Sequence, residues 1–252
     1  MSVSSSSQAL PGFDPQAADI EPPIQEPALP EQALSFSHLE QVFSRIQRQR
    51  DFPRWSPEQL RDRRRPLVPV TRETATRASV LIPLMLSCES LGSIQVVLTQ
   101  RTADLSSHAG QVSFPGGRAE SHDESPHVTA LREAHEEIGL HPERVKVWGE
   151  MPDYLTATGF LVTPVIGHVA SSAEFSKDPR EVAHIFQVPL SFLMDPANHQ
   201  RRLVTADKSP TGEAIRFFAM PYENFFIWGA TAAILRNLYR LLWAAWDQRT
   251  LD

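Results

Sequence analysis

The sequence predicts a mixed α/β domain of the α+β type, preceded by an N-terminal extension. Three observations carry that expectation. Apolar runs of strand length stand at residues 79–86 and 94–98, split by the turn-like Ser90, Leu91, Gly92 and Ser93. A short helix with signals at both ends covers residues 126–138. A longer helix with an apolar face is expected over residues 228–246.

Residues 1–34 are rich in Ser, Pro, Gln and Ala and show little apolar periodicity. Such a segment buries too little surface to offset its ordering entropy, so disorder is expected. Leu39, Val42, Phe43 and Ile46 then fall at helical spacing and open a helical extension over residues 35–77. The basic run from Arg61 to Arg65 inside it reads as a solvated face, or as a contact for a phosphate-bearing ligand. The main domain is expected over residues 78–250. Its first two runs form a hairpin because only a short turn joins them. Val112 to Phe114 makes a short strand that Pro115 ends. Ser125 suits an N-cap, Pro126 the first helical position and Gly139 the left-handed residue past the end. Strands at residues 145–151, at 160–169 and on both sides of Thr211-Gly212, with a short helix at 190–194, complete the set.

Composition narrows the function. The 24 basic against 30 acidic residues give a net charge of −6, which argues against a general affinity for nucleic acid. Cys88 is the only cysteine, so an internal disulfide and a multi-cysteine metal site are excluded. No charged stretch followed by an apolar run stands at the start, so no secretory signal is expected. The apolar run from Phe225 is broken by Arg236, Asn237 and Arg240 and reads as a buried amphipathic helix, because a bilayer span needs about 20 apolar residues. The expectation is a cytoplasmic protein acting on a small molecule, with neither nucleic acid nor membrane as partner. The sequence leaves the oligomeric state open.

The chemistry concentrates on the helix at residues 126–138. Leu131, Ala134 and Ile138 form an apolar stripe that faces the core. Glu133, Glu136 and Glu137 share the other face at i, i+3 and i+4, with Asp123 and Glu124 just ahead of the helix. Like charges at this spacing repel, and acids near the C-terminal end oppose the helix dipole. A hard divalent cation, Mg²⁺ or Mn²⁺, compensates both through oxygen ligands. A solvated acidic face with Arg132 paired to Glu136 is the bland alternative. His108, His122 and His135 do not form the His-Glu-x-x-His spacing of a zinc protease.

Glu124, Arg132, Glu133, Glu136, Glu137, Gly139 and Leu140 stand at the mutual spacing of the Nudix box, G-x5-E-x7-R-E-U-x-E-E-x-G-U, with U a bulky aliphatic residue. Ala134 is smaller than usual, and six residues rather than five separate Gly117 from Glu124. The stretch thus resembles the Nudix hydrolases, and the insertion resembles their coenzyme A diphosphatase subgroup. Leu98, Thr99, Arg101, Leu105, His108, Gly110, Val112, Phe114, Pro115, Gly116 and Gly117 resemble that subgroup's upstream element, with Thr102 and Ser106 departing from it. Residues 158–164, 188–193 and 227–231 are similar too, so the likeness spans about residues 78–245.

The resemblance implies a Nudix fold, a mixed β-sheet packed between helices as an α-β-α sandwich. It implies that Glu133 and Glu137 are principal metal ligands, that Glu136 assists and that Gly116 offers a backbone carbonyl. Arg132 orients the carboxylates, Glu133 is a candidate proton acceptor, and Glu124 tethers the loop or contacts outer-sphere water. Arg101, His108 and Arg118 are the implied substrate contacts, and Glu181 stands where relatives often carry another acid, with His184 and Gln187 nearby. The implied reaction is hydrolysis of the coenzyme A diphosphate to 4′-phosphopantetheine and adenosine 3′,5′-bisphosphate. Rival readings are a Nudix enzyme for NADH, ADP-ribose or nucleoside triphosphates, and a non-catalytic nucleotide-binding module. Cys88 lies outside these motifs and reads as a packing residue.

Overall fold

The structure is a computed structural model and describes residues 14–49, 71–87, 92–103, 110–209 and 212–249. In chain order these form β1 (Asp19–Ile20), α1 (Phe36–Gln49), β2 (Thr76–Leu86), β3 (Ile94–Arg101), β4 (Val112–Ser113) and β5 (Gly116–Arg118). There follow α2 (Pro126–Ile138), β6 (Val145–Glu150), β7 (Tyr154–Leu155), β8 (Phe160–Val169), β9 (Val182–Pro189) and α3 (Leu190–Leu193). β10 (Gln200–Val204), β11 (Ile215–Tyr222), β12 (Phe225–Trp228) and α4 (Gly229–Arg249) complete the described elements.

β2 organises the larger sheet. It runs parallel to β8 from Thr76↔Phe160 to Leu84↔His168. Its other edge is shared: β5 pairs at Ala78 to Val80 and β3 at Leu84 to Leu86, both antiparallel. Pro83 lies between those two stretches on the side where Leu81 donates to the Pro115 carbonyl, so its missing N–H costs no ladder bond. Both faces of β2 are covered, which explains why its sequence is a continuous apolar run without alternation.

One face of the sheet carries α2, whose Ala130, Ala134 and Ile138 pack on Leu81, Met85, Val97 and Val165. The opposite face carries α1 and α4, where Leu39, Phe43, Leu235 and Leu238 meet Ile82, Leu84, Leu98 and Ile166. This is the α-β-α arrangement that the sequence implied. A second, antiparallel sheet in the order β1-β10-β11-β12 extends from β4 and α4. Among the described residues no helix is long and apolar enough to cross a membrane.

Three expectations change. Residues 14–34 are not disordered. β1 pairs with β10, Leu29 and Ala33 are buried, and the Pro27 carbonyl accepts from Tyr239 Oη at 2.7 Å. Glu26 forms an ion pair with buried Arg236, whose Nη1 meets His199 Nδ1 at 3.2 Å. The partners of this segment lie on β10 and α4, far along the chain, so local composition gives no sign of them. β9 was not expected as a strand, because exposed His184 and Gln187 interrupt its apolar pattern. The apolar run at Phe225 is first strand β12 and only then helix α4. The expectations for residues 1–13, the basic run at 61–65, Cys88 and His108 fall outside the described residues.

Candidate active site

The site is built on α2 and the loop that feeds it. Ser125 caps the helix, its hydroxyl accepting from Val128 N, and Pro126 supplies a preset first turn. Gly139 ends the helix in the left-handed conformation at φ 66°, with its N–H on the last carbonyls. These signals set where the helix begins and ends, and therefore which residues point outwards. Ala134 and Ile138 face the sheet, and the acids fall on the flank beside β5.

Arg132 is the hub. Its Nε and Nη2 donate to the two oxygens of Asp123 at 3.1 and 2.9 Å, a bidentate fork. Nη1 donates to Glu133 Oε1 and Glu136 Oε2, both at 3.0 Å, and Nη2 also donates to the Arg118 carbonyl at 3.1 Å. All five guanidinium N–H groups are thereby used. Asp123 is almost completely buried and also accepts from Thr129 Oγ1 and Glu120 N. Its hydrogen bonds from Arg132 hold the carboxyl well below the usual range.

This geometry corrects the tethering role offered to Glu124. Glu124 is exposed, and Asp123 is the residue that ties the loop to the helix. A signal was present in the sequence: Asp123, not Glu124, follows Gly117 at the five-residue separation of the box. Counting back from Arg132 selects Glu124, and counting forward from Gly117 selects Asp123.

Glu137 is buried at the back of the site. Its Oε1 accepts from Arg101 Nη1 and its Oε2 from Gly116 N, each at 3.2 Å. Burial dominates its proton affinity and pushes the carboxyl up to about 7 despite Arg101. Burial also raises Glu133, with Arg132 opposing. The Glu133 carboxyl lies directly over Gly117, where a β-carbon would stand 2.5 Å from its carboxyl carbon. A β-carbon on Gly116 would stand 2.5 Å from the Ser79 carbonyl oxygen. The two glycines let β5 pass between β2 and the acids.

The remaining candidates divide. Arg101 joins the cluster through Glu137, and its Nη2 stands 3.8 Å from Glu181 Oε2. Glu181, just before β9, raises the proton affinity of both Glu133 and Glu137 and so shares their field. Arg118 contributes its carbonyl to Arg132, while its side chain is exposed. Gly116 contributes its N–H to Glu137. His184 turns away, its ring 6.3 Å from that of Phe225. His135 packs near the ring of His141, and His122 lies near Glu120 and Asp123.

Among the described residues, no three carboxylate, imidazole or thiolate groups converge on one point. Arginines stand between the acids instead. The donor set nevertheless fits a hard divalent cation. Two desolvated carboxylates, Glu133 and Glu137, lie close enough that Glu133 raises the proton affinity of Glu137. A divalent ion relieves that repulsion with the oxygen ligands Mg²⁺ and Mn²⁺ prefer.

Comparison with known proteins bears on the family. The sequence profile of the NUDIX domain family matches residues 76–220. The chain is 41% identical over 162 residues to a protein of Pectobacterium atrosepticum called "Uncharacterized Nudix hydrolase NudL", covering 64% of this chain and 80% of that one. A protein of the same description from Citrobacter koseri is 41% identical over 171 residues, covering 67% and 85%. The crystal structure of RenU, a Nudix hydrolase from M. smegmatis, aligns with a TM-score of 0.45 at 22% identity, over 68% of this chain and 91% of that one.

Two outcomes are expected from the site's electrostatics. Asp123→Asn lowers stability at neutral pH by about 3 kcal/mol, because it leaves the Arg132 fork without its buried counter-charge, while Glu124→Gln stays within about 0.5 kcal/mol. Equal effects in urea unfolding would contradict the assignment of the tether to Asp123. The second outcome concerns Glu137, whose carboxyl is raised on folding. Its contribution to stability is full below the ordinary value of 4.5 and is lost as pH rises through about 7. In chelator, Glu137→Gln therefore gains on the wild-type protein between pH 5 and pH 8 by up to about 3 kcal/mol. A pH-independent difference would show that Glu137 is not desolvated.

Proposed function

Because the chain belongs to the Nudix family, we propose that it hydrolyses the diphosphate linkage of coenzyme A, releasing 4′-phosphopantetheine and adenosine 3′,5′-bisphosphate. The family membership supports the coarser statement, a hydrolase acting on diphosphate bonds. The observation that carries the finer one is the run from Leu98 to Gly117, whose Leu98, Thr99, Arg101, Gly110, Val112, Phe114 and Pro115 resemble the coenzyme A diphosphatase element. That run ends at the acids: Arg101 reaches Glu137, and Gly117 lies under Glu133.

In this reading Glu133 and Glu137 hold a divalent ion, Mg²⁺ or Mn²⁺, with Glu136 assisting and the Gly116 carbonyl as a further oxygen donor. When bound, such an ion neutralises phosphate oxygens and lowers the pKa of a coordinated water. The protein residues do the rest. Arg132 fixes the direction of the Glu133 and Glu136 carboxylates through 3.0 Å hydrogen bonds, so they do not reorganise when charge develops on the substrate. Glu133, with its raised proton affinity, is suited to take a proton from attacking water. Arg101 and Arg118 offer positive charge to the diphosphate, and His108 belongs to the same upstream element. Attack by water on the diphosphate requires no covalent intermediate. Substrate and product are small molecules, and a cytoplasmic setting fits that chemistry.

Purified protein incubated with coenzyme A and Mn²⁺ is expected to yield both halves by mass spectrometry. Glu137→Gln and chelator are each expected to lower the rate by at least about a hundredfold. Intact coenzyme A beside cleaved NADH or ADP-ribose would reject the substrate and keep the family chemistry. Nucleotide binding without turnover of any of them would favour the binding-module reading.

A further inference from the structure

The two arginines of the site are held in different ways. Arg132 is locked by a bidentate bond to a buried aspartate and has every N–H used. Arg101 has one 3.2 Å contact to Glu137 and a 3.8 Å approach to Glu181, which is too long for a hydrogen bond. Its side chain, at the end of β3, is 23% exposed, whereas that of Glu137 is 4% exposed. One guanidinium is a fixed brace. The other is a loosely held cation placed on an oxygen of the most buried of the three α2 glutamates.

We propose that Arg101 is a built-in counter-cation that competes with the divalent metal for Glu137, and so sets how weakly the site binds metal. The inference rests on the metal reading of Glu133 and Glu137. The two oxygens of Glu137 already have one donor each, Arg101 Nη1 and Gly116 N. The Gly116 donor is backbone within β5 and stays in place, because β5 is fixed in the ladder with β2. The Arg101 donor is the end of a flexible side chain. A cation that takes up Glu137 must share the Oε1 side with Arg101 or displace it, and like charges at that distance repel. A guanidinium keeps its charge at every accessible pH, so deprotonation never relieves the competition. Glu181 gives the displaced arginine a nearby second partner, which keeps the exchange local. A released Arg101 also carries its charge to an incoming diphosphate.

The test is Mn²⁺ affinity of the full chain, read as free Mn²⁺ by electron paramagnetic resonance, without substrate. Arg101→Gln, which keeps the polar bulk and removes the charge, is expected to bind Mn²⁺ roughly fivefold to tenfold more tightly than the wild-type protein. Arg101→Met, which keeps the apolar stem, is expected to do the same and serves if the glutamine variant does not fold. Unchanged or weaker Mn²⁺ binding in a folded variant, as judged by thermal unfolding, would overturn the proposal. Glu137→Gln separates this failure from that of the underlying reading. It should weaken Mn²⁺ binding in the wild-type and Arg101→Gln backgrounds alike, and no weakening in either would remove Glu137 from the metal site.

Discussion

The guanidinium of Arg132 sits between a helix that carries three glutamates and a loop that carries an aspartate, and both depend on it. Without a positive centre, Glu133, Glu136 and Glu137 would repel one another at the end of a helix whose dipole already disfavours them. Arg132 answers part of that repulsion by taking one oxygen each from Glu133 and Glu136. Its other edge is fixed to buried Asp123, so the guanidinium cannot follow the glutamates if they move. The loop, the start of α2 and the direction of two carboxylates are therefore one mechanical unit. A lysine at this position would supply the charge without the fork.

The unit works because backbone comes unusually close to it. Gly116 and Gly117 bring β5 against β2 on one side and under Glu133 on the other, where side chains would collide with the Ser79 carbonyl and the Glu133 carboxyl. The same strand delivers an N–H to Glu137. The parallel pairing of β2 with β8 beneath it is buried on both faces, so the platform has few ways to yield. A site that must hold charges of one sign close together needs such a base, since the free energy lost to repulsion is drawn from the fold.

Much of this was legible in the sequence, for physical reasons that can be named. α2 was readable to its ends because Ser125, Pro126 and Gly139 each act locally. β2, β3 and β8 were readable because strands buried on both faces are continuous apolar runs. The α-β-α fold followed from likeness to Nudix proteins, and the packing on both faces of the sheet bears it out. Other features depend on distant partners. Residues 14–34 look like a featureless tail until β10, Arg236 and Tyr239 are placed beside them. β9 pairs with β3 but has a broken pattern, because His184 and Gln187 within it are exposed. Within the site, the family spacing selected a helix whose acids lie together beside β5, but offered the tether to Glu124. The geometry decides between the two counts and leaves Asp123 under Arg132.

The central claim is that the acids of α2 beside β5 form one metal-binding centre organised by Arg132. The most direct measurement is the anomalous scattering of Mn²⁺ in crystals of the protein grown with that ion. The account predicts a peak bonded to carboxylate oxygens of both Glu133 and Glu137, with Asp123 still paired to Arg132 and outside the coordination sphere. A peak elsewhere on the molecule, or Mn²⁺ bound by Asp123 or Glu124 in place of Glu137, would contradict it.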